Sequence, residues 1–131
     1  MEAKLSERLA RVTGEATLRL THHGRRSGKP YEVTIWFMVE GDKIFLPTAN
    51  TNRNWVRNVK AHPQILLRIG AESFSGEVRP LDDVASRDRV LELVQRKYWY
   101  ALPYFWTARL LTSLGVMRDT WGAFEVRLAG A

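Results

Sequence analysis

Tyr31-Glu32-Val33-Thr34-Ile35-Trp36-Phe37-Met38-Val39-Glu40-Gly41-Asp42-Lys43-Ile44-Phe45-Leu46-Pro47-Thr48 carries the clearest periodicity in the chain. Tyr31, Val33, Ile35, Phe37 and Val39 share one parity, and Glu32, Thr34, Trp36, Met38 and Glu40 share the other. A period of two puts alternate side chains on opposite faces of a strand, so 31–40 is expected as one long strand. Gly41-Asp42 is the two-residue turn that a hairpin favours, and 43–48 returns as its partner.

Working outward, residues 16–21 predict a further strand, with Ala16, Leu18 and Leu20 alternating against Thr17, Arg19 and Thr21. Residues 1–13 predict a short amphipathic helix with Leu5, Leu9 and Val12 on one face. Residues 52–61 have helical spacing and stop before His62-Pro63, because a residue preceding proline is pushed out of the helical region. A second hairpin is expected from 64–69 and 73–79 around Gly70-Ala71-Glu72. Asp82 is expected to cap a helix running to about Lys97. Pro103 suits the first turn of another helix that Gly115 ends, and 122–128 closes as a strand. About six strands arranged in hairpins, with three or four helices, argue against a doubly wound parallel sheet. They predict a mainly β, α+β fold: one small antiparallel barrel with helices at its rim, spanning 1–131 as a single domain.

Composition narrows the chemistry. The chain has no cysteine, which removes disulfides, thiolate metal sites and cysteine nucleophiles. Its 20 Lys and Arg against 14 Asp and Glu leave a net charge of +6, a field that attracts polyanions. The N-terminus mixes Glu2, Lys4, Glu7, Arg8 and Arg11 among apolar residues and does not read as a secretory signal. The most apolar run, 98–117, is broken by Pro103 and carries Arg109, short of the ~20 apolar residues that span a bilayer. A soluble, cytoplasmic protein is expected, with a peripheral membrane contact left open by the mixed aromatic and basic residues of that run. His22, His23 and His62 have no metal-site spacing, and no Gly-x-Ser-x-Gly elbow is present, so neither a metal site nor hydrolase chemistry is expected.

Three segments remain. The loop 22–30 gathers Arg25, Arg26 and Lys29 with Ser27, Gly24 and Gly28; glycine lets backbone N–H groups converge on an anion and arginine forks hold phosphate. A solvated basic hairpin loop is the alternative reading. On the helix 52–61, Arg53, Arg57 and Lys60 form a basic stripe while Trp55, Val56 and Val59 face inward, with Asn54 and Asn58 between. The aromatic segment Tyr98, Trp99, Tyr100, Tyr104, Phe105 and Trp106 reads either as a pocket wall or as core. A cationic clamp beside aromatic residues suits a cofactor that brings its own reactivity.

Leu20-Thr21-x-x-Gly24-Arg25-Arg26-Ser27-Gly28-Lys29-Pro30, with Asn54-Trp55-x-x-Asn58-Val59-Lys60-Ala61-His62-Pro63 after the intervening strands, resembles the signature of the deazaflavin-dependent nitroreductase and quinone reductase family. The match in order and spacing covers about residues 16–79. The resemblance implies a split β-barrel of the FMN-binding, pyridoxamine-phosphate-oxidase-like type that binds coenzyme F420. It implies an anion role for Arg25, Arg26, Ser27 and Lys29, with Trp55 and Asn58 close to the cofactor. Thr34 and Trp36 would flank the deazaflavin ring, and Thr48, Ala49 and Asn50 would meet its polar edge. The expected reaction is hydride transfer to an electron-poor quinone, enone or nitroaromatic, with Tyr98, Tyr100 or Tyr104 as proton donor. Tyr31, Trp36 and the compact stretch 50–53 depart from the nitro-reducing pattern, and the apolar run 105–117 suggests a bulky apolar or aromatic acceptor. A homodimer is expected because barrels of this kind pair. FMN binding and a non-catalytic cofactor carrier are the alternatives. Nucleic acid is not expected as a partner, because the aromatics are not interleaved with the basic loop.

Overall fold

The computed structural model describes residues 2–48, 51, 53–99 and 122–129. Helix α1 (Glu2–Val12) precedes strands β1 (Leu18–His23), β2 (Pro30–Ile35), β3 (Met38–Glu40) and β4 (Lys43–Thr48). Helix α2 (Asn54–Ala61), strands β5 (Gln64–Ile69) and β6 (Glu72–Pro80), helix α3 (Val84–Lys97) and strand β7 (Gly122–Leu128) follow. All pairings are antiparallel, in one seven-stranded sheet of order β2-β1-β5-β6-β7-β4-β3.

The expected long strand is therefore two, and this break shapes the fold. β2 pairs with β1 in full register, Leu18 opposite Ile35 and His23 opposite Pro30, whereas β3 pairs with β4. β2 and β3 are the two outer strands of the sheet, yet only Trp36 and Phe37 separate them. Three residue steps reach about 10 Å at most. The sheet must curl until its two edges share one run of chain, which gives the split barrel and limits its exposed edges. The face assignment survives the break: Val33, Ile35, Phe37 and Val39 all pack on the main core, and Trp36 and Met38 on the opposite side.

Inside the curl, Leu18 and Leu20 meet Ile44, Leu46, Ile65, Leu67, Ile69, Phe124 and Val126. Leu5, Leu9 and Val12 of α1 and Trp55, Val56 and Val59 of α2 join this core, as their spacing predicts. Each such side chain stabilises the fold by about 1.5–3 kcal/mol when fully buried. A second cluster lies under α3, where Val90, Val94 and Tyr98 cover Met38 and Ala123.

Several boundaries move. β1 occupies Leu18–His23 rather than 16–21, because both histidines stay in register with β2. α2 begins at Asn54 rather than 52 and α3 at Val84, capped by Asp83 rather than Asp82: the Asp83 carboxylate accepts the Ser86 N–H at 2.9 Å. Gly70, at φ +57°, leads a turn so tight that Glu72 already belongs to β6. The helix expected from Pro103 to Gly115 lies outside the described residues. Among the described residues, no helix is long and apolar enough to cross a membrane.

Candidate functional site

β1 delivers His22 and His23 to the mouth of the loop that joins it to β2. The loop closes on its own backbone: the Gly24 N–H donates to Lys29 O at 2.9 Å and the Gly28 N–H to Gly24 O at 3.0 Å. The Lys29 N–H donates to the Ser27 hydroxyl oxygen at 3.2 Å. A Cβ at 24 would meet Ser27 Oγ at 2.6 Å and Tyr31 Cε2 at 3.2 Å, so Ser27 would have to turn out of its place, and Gly28 takes φ +68°. With the backbone folded inward, the side chains of Arg25, Arg26, Ser27 and Lys29 are exposed.

α2 lies alongside. Its buried face carries Trp55, Val56, Asn58 and Val59, which leaves Arg53, Arg57 and Lys60 exposed. The loop is tied to this helix through Asn58: its Oδ1 accepts the Arg25 N–H at 3.3 Å and Arg25 Nη1 at 2.9 Å. Asn58 Nδ2 lies 2.9 Å from His22 Nδ1, and both residues are buried. His22 also stacks on Tyr31, with ring centroids 5.8 Å apart. Burial, reinforced by the neighbouring His23, lowers the His22 pKa from its ordinary value.

Between loop and helix runs a groove of about 1000 Å³. Arg25 and Arg26 line one wall and Arg53 and Arg57 the other, with Tyr31, Glu32 and Val33 of β2 below. Among the described residues none of these four arginines has a carboxylate partner, and Glu32, the lone acid of the lining, lies 3.7 Å from Arg19. Unpaired guanidinium groups converging on an open groove bind phosphate and carboxylate through charge-assisted, bidentate hydrogen bonds. A cofactor with a phosphate and an acidic tail fits this donor set.

Of the residues singled out in the sequence, Arg25, Arg26, Ser27, Trp55 and Asn58 meet at the groove. Lys29 is exposed on the same loop but outside the lining. Thr34 is exposed on β2, two residues along from Glu32 and so on the same strand face. Trp36 turns away and stacks on Tyr98, centroids 4.0 Å apart and planes 6° off parallel. Thr48 is buried at the end of β4. Ala49, Asn50, Tyr100 and Tyr104 lie outside the described residues.

Tyr98 corrects an expectation. It is wholly buried, and its hydroxyl donates to Ala16 O at 2.6 Å while accepting the Phe37 N–H at 3.1 Å. Lys97 Nζ donates to Phe37 O at 2.9 Å. Together they satisfy backbone groups at the β2–β3 break, where the ladder changes partner, so Tyr98 is a core residue and not a proton donor in the groove. Conversely, His22 and Tyr31 belong to the groove without having been assigned to it. Their signal was present in the sequence: they flank the glycine loop and are direct partners across β1 and β2.

A family model for F420H(2)-dependent quinone reductases matches residues 2–116. Among solved structures, a candidate pyridoxamine 5'-phosphate oxidase from Listeria innocua superposes with a TM-score of 0.70 at 13% identity, over 96% of this chain and 94% of that one. An F420-H2 dependent reductase, FDR-A, superposes with a TM-score of 0.65 at 21% identity, over 86% and 94%. A protein described as a domain-swapped dimer gives 0.67 at 20% identity, over 86% and 80%. At these identities the likeness shows the split-barrel fold. No curated protein matches. The family match takes in the glycine loop, β2 and α2, the elements that build the arginine groove, and the chain belongs to the F420H(2)-dependent quinone reductase family of oxidoreductases.

Proposed function

We propose that the protein reduces an electron-poor organic acceptor, a quinone before an enone or nitroaromatic, using coenzyme F420 anchored in the arginine groove. The observation that carries this reading is the convergence of Arg25, Arg26, Arg53 and Arg57 on one groove with a single carboxylate in its lining. The deazaflavin, when bound, supplies the hydride. The chain's own residues bind and orient. Arg25 and Arg26 hold the phosphate, Arg53 and Arg57 reach the acidic tail, and Lys29 adds charge at the rim. Thr34, Thr48, Ala49 and Asn50 serve the ring in this reading, and Tyr100 or Tyr104 holds the proton for the acceptor. Positioning of two reactants in one site is the chief rate effect available to such a protein.

Titration with oxidised coenzyme F420, and separately with FMN, followed by fluorescence, tests the assignment. Tight F420 binding with weak FMN binding is expected. FMN preference moves the protein to the flavin branch of the fold, and F420 binding without turnover on any quinone makes it a carrier. A homodimer completes the proposal, motivated by the domain-swapped relative and by Leu66, 53% exposed on β5. Sedimentation equilibrium at a monomer mass would overturn that part alone.

A further inference from the structure

Asn58 is fully committed inside the protein. Its Oδ1 faces two groups of Arg25, the backbone N–H at 3.3 Å and Nη1 at 2.9 Å. Both can only donate, so the oxygen end of the amide is fixed there. The Nδ2 end then faces His22 Nδ1 at 2.9 Å, and that nitrogen must accept. His22 is held neutral, with its proton on Nε2. A protonated His22 would set an Nδ1–H against the Asn58 NH₂. Turning the amide would relieve that clash but would point the NH₂ at the Arg25 N–H and guanidinium. The Arg25–Asn58 bonds and a charged His22 therefore exclude each other.

We propose that Asn58 is a positioning residue that couples the protonation of His22 to the placement of Arg25, so that the groove loses affinity for anions as the solution is acidified. The proposal rests on the reading of the groove as an anion site. The surroundings favour neutral His22: His23 adjoins it, Tyr31 stacks on it, and Arg25, Arg26, Arg53 and Arg57 line the same groove, against one acid, Glu32. His62 also approaches, with Nε2 3.4 Å from Arg25 O. The sign is diagnostic. A histidine that merely adds charge to a basic groove tightens anion binding in acid. The Asn58 coupling acts in the opposite direction. Above the His22 pKa, which lies below 6.5, Arg25 is held in place; below it, Arg25 is released.

The test uses sulfate, whose charge is constant across the range, titrated calorimetrically into the full chain at about pH 8 and at a pH below the midpoint at which the His22 imidazole ¹⁵N shifts change. Binding roughly 5- to 10-fold weaker at the lower pH is expected, the size of a modest coupling. His22→Asn keeps an acceptor for Asn58 Nδ2 but cannot titrate, so the acid loss should disappear in this variant. Asn58→Asp still accepts from Arg25 and offers a carboxylate to a charged His22, so it should abolish the acid loss. Imidazole ¹⁵N spectra of the unmodified protein at about pH 8 should show His22 as the Nε2–H tautomer, a readout that needs no variant. Sulfate binding unchanged or tighter in acid, an acid loss retained in His22→Asn, an Nδ1–H tautomer, or no sulfate binding at about pH 8 would each overturn the coupling. Coenzyme F420 titrated into the same sample at about pH 8 judges the cofactor reading separately.

Discussion

Arg25 and Arg26 are neighbours on one loop with different anchoring. Arg25 is tied to Asn58 and approaches Asn54 O at 3.5 Å, whereas Arg26 is exposed. Exposed charges contribute little to folding, so Arg25→Ala with Arg26→Ala should weaken F420 binding by about two to four orders of magnitude, at 1.5–3 kcal/mol or so for each charge-assisted bond. The thermal midpoint should stay nearly unchanged; wild-type affinity in the double variant would refute the anion clamp. Tyr98 should behave in the reverse way. Tyr98→Phe leaves the Phe37 N–H and Ala16 O without their phenol partner in the core, which costs roughly 1–3 kcal/mol. Urea unfolding should register that loss while F420 affinity stays within about twofold. Both positions were visible in the sequence as residue types, but only one role was. Arginines between glycines speak of anions wherever they sit, whereas a tyrosine's role depends on what faces its hydroxyl.

At the scale of elements, α1, α2 and α3 were legible because each repeats its apolar residues at helical spacing, and β4, β5 and β7 because each alternates. Their ends were harder to place. Asp82 and Asp83 are equivalent as sequence, and the choice of Asp83 follows from the backbone that brings the Ser86 N–H to its carboxylate. Hydrogen bonding from the Ser86 side chain, and then from its N–H, holds the Asp83 pKa below its usual value. Asp83→Ala should lower the thermal midpoint by roughly 2–5 °C, whereas Asp82→Ala should leave it within about 1 °C, as measured by circular dichroism. Equal effects from the two would mean that the cap is shared. The recognition loop and α2 illustrate the complementary case. Their motifs are separated by three strands in sequence, and Asn58 joins them only because β1 delivers the loop beside the helix.

At the scale of the molecule, the β2–β3 break closes the sheet, and Lys97 holds that break at Phe37 O while its ammonium lies 3.5 Å from the Phe37 ring centroid. Burial lowers the Lys97 pKa from 10.5 to about 8, offset only in part by Glu15. Below about pH 8 both folded and unfolded chains carry this proton. From there up to 10.5 the unfolded chain binds a proton that the folded chain lacks, so stability rises with pH across that window. Urea midpoints at about pH 7, 8.5 and 9.5 should increase in the wild type and flatten in Lys97→Met; an unchanged slope in the variant would assign the rise to other groups. The sequence by itself determined the mainly β, hairpin-rich character, the facing of side chains along 31–40, the anion-seeking loop and the family signature, because all of these depend on local periodicity and residue chemistry. Only the tertiary structure decided that one periodic run becomes two strands on opposite edges of a curled sheet, that Trp36 and Tyr98 stack away from the groove, and that His22, Asn58 and Arg25 form one hydrogen-bonded unit. Pairing partners and buried hydrogen bonds join residues far apart in the chain, and periodicity carries no information about which of them meet.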